Sequence, residues 1–237
     1  MNIRTLNAAA LSLGALFGVG AGLLAAAPRK PQPSPAPSVT FTPDKGKFRI
    51  LQQGQEAGTE DFEISQSSGV WVAQGDAKIH VPGSGDTRST GQLKLTADGT
   101  PIHYDWTVQT PKKASGSVDF ESGTAKTSIN LEGKDPVRED FTFTSPKVAV
   151  LDNNLYDQYA IIAHLYDWTK QGTQTFPVLI PQDMTPGSIT VEPQSAEGGL
   201  QGLRVRTADL EIDLYFDSRY HLMKLEVPDA KVEVVRQ

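Results

Sequence analysis

The side chains best placed to do chemistry in this chain are a histidine and two aspartates, Asp157, His164 and Asp167. His164 lies seven residues after Asp157 and three before Asp167, with Ala160 between. On a helix that spacing gathers the three along one slot, an arrangement suited to acid–base work or a metal ligand set. The same slot serves equally as a solvent-facing edge. No second His or Glu is placed by the sequence to complete a site, so the three stand as weak catalytic candidates and no metal site is assigned. His103 with Asp105, on the polar face of a strand, is the next acid–base pair. His221 falls in phase with Met223, Leu225 and Val227 and is expected at the core or its rim. No His-x-His or His-x3-His pair occurs, nor any phosphate-cradling glycine loop, dinucleotide fingerprint or Gly-x-Ser-x-Gly elbow. No cofactor is expected.

The element that must position the slot is 153–172, NNLYDQYAIIAHLYDWTKQG. Asn153 or Asn154 offers an N-cap and Asp157 stands three after Asn154, in a capping-box arrangement. Gly172 supplies the stop. Leu155, Tyr159, Ile162 and Tyr166 form one apolar stripe, and Ile161, Leu165 and Trp168 a second. Two stripes predict a helix over about 153–171, buried around much of its circumference.

Around that helix the chain alternates as strands do. Phe48 with Ile50, and Phe62 with Ile64, share faces across a turn at Gly54. Val70, Val72, Ile79 and Val81 mark the next strand. Asp98-Gly99 and Ser122-Gly123 are hairpin signals between alternating runs. Ile102, Tyr104, Trp106 and Val108 point one way, His103, Asp105 and Thr107 the other. Strands close the chain, with Leu203 and Val205, then Leu210, Ile212, Leu214 and Phe216, as apolar sets, followed by 220–227 and a last strand at 231–236. One apolar face and one wet face, repeated strand after strand, mean antiparallel pairing. A meander this long must curl or be covered. The expected fold is therefore mainly β: a large curved antiparallel sheet, half-barrel or open barrel, with the one helix on its concave face. Trp71, Trp106, Leu155, Tyr159, Ile162, Tyr166 and Trp168 are the residues expected to line a ligand site there.

Composition narrows the compartment. The chain has 237 residues, no cysteine and a formal charge of −6. Disulfides, thiol catalysis and an acylated N-terminal cysteine are excluded. An acidic body argues against nucleic acid. Residues 1–27 read as a signal peptide or an N-terminal membrane anchor, with 8–27 free of charge and Ala25-Ala26-Ala27 suited to a peptidase. Residues 28–45 form a Pro-rich linker, extended and unable to build a core. Residues 46–237 are then one β-rich domain, exported to the periplasm or envelope and tethered at the inner membrane if 8–27 remains.

The segments LDNNLYDQY, FPVLIPQ and LYFDSRYHLMKLEVPDAKVEVVR, with the opening GTEDFEI hairpin, resemble uncharacterised exported bacterial β-rich proteins, a domain of unknown function. Those resemble, in plan, periplasmic lipoprotein-carrier-like half-barrels. That likeness implies a non-enzymatic cell-envelope protein binding an apolar or amphipathic ligand, lipid or other small molecule. A small barrel enzyme, hydrolase or cyclase-like, using His164 with Asp157 or Asp167 is the alternative; a structural or interaction module is the third.

Overall fold

The computed structural model describes residues 41–81, 85–110, 112–207 and 209–237. The expected signal or anchor and most of the Pro-rich linker lie outside them. Fifteen strands follow in order. The first eight are β1 (Asp44–Gln52), β2 (Gln55–Ser67), β3 (Val70–Val81), β4 (Gly85–Leu95), β5 (Pro101–Gln109), β6 (Lys113–Glu121), β7 (Thr124–Leu131) and β8 (Val137–Thr142). After the short β9 (Ala149–Val150) come the helical turns. The chain then resumes as β10 (Gln174–Ile180), β11 (Thr185–Gln194), β12 (Gln201–Arg206), β13 (Glu211–Phe216), β14 (Leu222–Val227) and β15 (Val232–Arg236).

These form one open sheet in the order β8-β7-β6-β5-β4-β3-β2-β1-β15-β14-β13-β12-β11-β10-β9. Two antiparallel meanders, β1 to β8 and β10 to β15, join where β1 pairs antiparallel with β15, and β9 adds parallel to β10 at the far edge. The ends β8 and β9 do not pair with each other, so the barrel does not close. The packed body starts before residue 46. Phe41 is in the core, and Asp44 is clamped by Arg236 from the last strand.

Curvature comes from a row of glycines crossing the sheet. The register aligns Gly46, Phe62, Gly75, Gly91, Trp106 and Gly116 on successive strands β1 to β6. Glycine inside a strand marks a bend or a close approach. Here Phe62 lies over Gly46 and Trp106 over Gly116, each ring filling the space a Cβ would take. Gly75 and Gly91 leave room for something else, the segment between the two meanders.

That segment, about 148–168, lies across the concave face and touches β3 in one meander and β14 in the other. Its helical part is shorter than the spacing predicts. A 3-10 turn runs Asp157–Ile161, and α1 is only Ile162–Leu165, ending at Tyr166 in extended conformation. Of the two predicted stripes, Leu155, Ile161, Ile162, Leu165 and Tyr166 are buried, whereas Tyr159 and Trp168 are half-buried. Burial on all sides is what produced two stripes, and a short coiled plug is buried on all sides as readily as a long helix. One strand phase also differs. On β3 the buried set is Trp71, Ala73 and Ala77, while Val70 and Val72 are half-buried on the other face. The small inner residues make space for the plug.

Candidate functional site

The plug is fastened to the sheet by carboxylates. Glu60 on β2 is in phase with Phe62 and Ile64, faces inward and is fully buried. Its sheet neighbours on that rung are Phe48 and Ala77. One Glu60 oxygen accepts the backbone N–H of Tyr156 at 2.7 Å; the other accepts that of Asp157 at 2.9 Å. These are orphan amides at the start of the 3-10 turn, which has no side-chain cap of its own. The expected cap from Asn153 or Asn154 is therefore replaced by a residue almost a hundred positions away. Asn153 instead donates to Asp183 at 2.9 Å.

Asp157 lies beside Glu60, buried at 1% exposure. A Cβ added at Gly75 would stand 2.9 Å from both Asp157 Oδ1 and Glu60 Oε1, which puts the two carboxyls over the same glycine. Asp157 Oδ1 has no donor among the described residues, nor do Gln158 Oε1 and Gln182 Oε1. Two adjacent acceptor-only carboxylates satisfy each other only if one keeps its proton. Burial, and then the charge of Asp157, holds the Glu60 carboxyl well above the usual carboxylate range. Burial raises Asp157 to about 7, and the charge of Asp152 adds to it.

Asp152 completes the joint. It accepts from Tyr104 Oη at 2.5 Å, from the Gln182 side-chain amide, and from its own turn at Asn154 N, 2.8 Å. Burial lifts it to about 6. Burial, then the charge on Asp152, pushes the Tyr104 phenol well up. No arrangement of three or more His, Cys, Asp or Glu side chains able to hold a metal occurs among the described residues.

The three slot residues go to different places. Asp157 is in the joint, not on a solvent-facing edge, because Glu60 of the sheet lies opposite it. Asp167 is on the surface side, accepting from Thr169 and pairing with Lys170 at 2.9 Å. Those partners hold it down to about 2. His164 stacks on Phe41, ring centroids 3.8 Å apart. Asp157 and Asp167 therefore titrate in opposite directions from one short segment. His103 has both ring nitrogens engaged, with Asp105 at 2.7 Å and Asp119 at 2.6 Å. His221 meets Thr42 and Asp217 at the rim. Of the expected lining residues, Trp71, Trp106, Ile162 and Tyr166 are buried in one continuous core, with Tyr159 and Trp168 packed against it, and Leu155 is buried over Gly75 and Gly91. Local spacing marks none of Glu60, Asp152 and Tyr104 as site residues. Glu60 alone carries a signal in the sequence: a carboxylate in phase with two apolar residues of its own strand, Phe62 and Ile64.

An open trough of about 450 Å³ crosses the opposite, outer face of β1–β5. Its walls are two rungs of outward side chains. One is Lys45, Glu63, Gln74, Gln92 and Asp105; the other includes Asp61, Asp76, Thr90 and Thr107. Its floor is the backbone along the glycine row.

No known protein family and no curated protein matches the sequence. Among solved structures, the chain is similar to a β-barrel-like protein of domain of unknown function DUF1849 from Brucella abortus. The TM-score is 0.56 at 10% identity, over 84% of this chain and 97% of that one. The likeness is one of fold, and it fits an uncharacterised β-rich protein with an open antiparallel sheet.

Proposed function

We propose that the protein is an exported, non-catalytic binding module of the cell envelope that works through the outer face of its sheet. The observation carrying this reading is the occupation of the concave face by the chain's own plug. An apolar ligand placed there, as the two stripes suggest, must displace Leu151, Leu155, Ile161, Ile162 and Leu165, all nearly fully buried. Exposing five such side chains costs on the order of 10 kcal/mol. That equals the whole stability of an ordinary domain, about 5–15 kcal/mol. The outer trough needs no such opening.

Catalysis finds less support. The strongest acid–base pair, Glu60 with Asp157, has no route to substrate while the plug is seated. His103 has no free ring nitrogen to move a proton, both being held by aspartates. Export rests on the signal-like residues 1–27.

Native mass spectrometry of the full chain, purified from its own envelope, tests the reading. The expected result is protein free of bound lipid. A stoichiometric lipid on the folded protein overturns it and returns the concave face to consideration. Mass measurement of the mature N-terminus tests export, with loss of residues 1–26 or 1–27 expected.

A further inference from the structure

The walls of the outer trough are polar on both sides. Gln74 and Gln92 bring amides that donate and accept. Thr90 and Thr107 bring hydroxyls, and Asp61, Glu63, Asp76 and Asp105 bring carboxylates. Every wall side chain, Lys45 included, ends in a polar or charged group; the apolar part of the lining comes from their stems and from the floor, where Phe62 and Trp106 have their rings turned inward, at 3% and 4% exposure. An acyl chain lying there would cover those polar ends without giving them partners.

Charge narrows the class further. Each carboxylate already has a partner on the same face. Asp61 pairs with Lys47 at 3.4 Å and Glu63 with Lys45 at 2.9 Å. Asp76 pairs with Arg88 at 2.6 Å, and Asp105 with His103 at 2.7 Å. A polycation would have to compete with these pairs. A polyanion would meet four carboxylates, which excludes nucleic acid. A peptide strand adds at a sheet edge through unpaired backbone groups, whereas β1 to β5 are all interior to the sheet order.

What remains is a neutral ligand rich in hydroxyls. Vicinal hydroxyls present a donor and an acceptor side by side, the complement of amide and carboxylate side chains. The trough runs across five strands, roughly 19 Å at about 4.8 Å per strand spacing. A chain of rings can lie along it, with the two rungs of side chains bonding from either side. We propose that this trough binds a neutral glycan chain. The proposal rests on the outer-face reading and names its ligand class.

Nuclear magnetic resonance of the folded full chain, titrated separately with chitohexaose, maltohexaose and spermine, tests it. The expected result is shifts confined to Gln74, Thr90, Gln92, Asp105 and Thr107 with at least one of the two sugars. The double variant Gln74→Ala/Gln92→Ala, with Gln74 exposed and Gln92 half-buried on the outer face, is expected to bind that sugar about tenfold more weakly or worse, a loss of about 1.4 kcal/mol. Shifts there with spermine alone overturn the glycan but leave the outer-face reading standing. No shift with either sugar at millimolar concentration overturns the glycan as well. Lipid on the envelope-purified protein is the separate result that sinks the outer-face reading.

Discussion

Glu60 accepts the backbone N–H of Asp157 at 2.9 Å while the Asp157 carboxyl lies buried beside it, with no donor for its Oδ1. The titratable groups acting on this pair are Asp152, Tyr104 and Tyr156, none of them a cation. Burial therefore favours the protonated forms. An unfolded carboxylate releases its proton near pH 4, and folded Asp157 near pH 7. Between those values the native state binds more protons than the unfolded state, so stability falls as pH rises. Asp152, at about 6, adds to the lower part of the window, and Glu60, raised by burial, acts in the same direction. Urea unfolding at about pH 8 should give a stability lower by roughly 2–4 kcal/mol than at about pH 5. The Asp157→Asn variant should flatten that slope. A wild-type stability that rises across this window refutes the shared-proton account.

Removing the acceptor itself has a different signature. Glu60→Ala leaves the Tyr156 and Asp157 amides unsatisfied in the core, at a cost of about 2–5 kcal/mol. Glu60→Gln keeps one acceptor oxygen and puts a donor NH2 in place of the other, so only one of the two amides loses its partner and it should cost less than alanine. Hydrogen exchange reads the mechanism directly. Protection at Tyr156 and Asp157 should drop in the alanine variant before that of β2 and β3. Equal loss across the sheet would mean the plug is not separately latched.

The glycine row supports the plug on its inner side, which alanine substitutions can measure. A Cβ at Gly91 meets Leu155 Cδ1 at 2.5 Å and Tyr104 Oη at 2.6 Å. At Gly75 it meets Asp157 and Glu60. Both substitutions overpack the joint and should destabilise by about 1–3 kcal/mol. Gly187→Ala is the control, because its nearest atom is Val178 Cγ1 at an ordinary 3.5 Å. A near-neutral Gly91→Ala would mean Leu155 has room to move aside.

The sequence reveals the sheet better than the joint. Period-two alternation places Phe48, Phe62, Tyr104, Trp106, Leu203 and Leu214 inward, and all six are buried. Glycine turns such as Ser122-Gly123, both residues at positive φ, mark the hairpins correctly. The joint escapes because its partners are far apart along the chain. Nothing local to Asp157 says that Glu60 lies opposite, so a polar residue between apolar stripes looks like a wet edge. Helix length fails for a related reason. Periodicity reports burial, and tertiary contacts from both meanders bury this segment whatever its backbone does.

The pairing of first and last strands makes the final prediction. Arg236 forks onto Asp44 through two hydrogen bonds, one of 2.8 Å, and its guanidinium lies 5.2 Å from the Phe62 ring centroid. This clamp sits where β1 meets β15 and the two meanders join. Arg236→Ala should cost about 1–3 kcal/mol, less than a fully buried pair because Arg236 is partly exposed. Arg236→Lys should recover little, since an ammonium cannot fork onto the carboxylate and also lie flat on the ring. Joining β1 to β15 closes almost the whole chain into a loop, whereas each hairpin closes a short one. The hairpins should therefore form first and the terminal pair last. In stopped-flow measurements the loss in Arg236→Ala should appear as faster unfolding, with the folding rate nearly unchanged. A variant that instead folds slowly would place the β1–β15 junction in the folding nucleus.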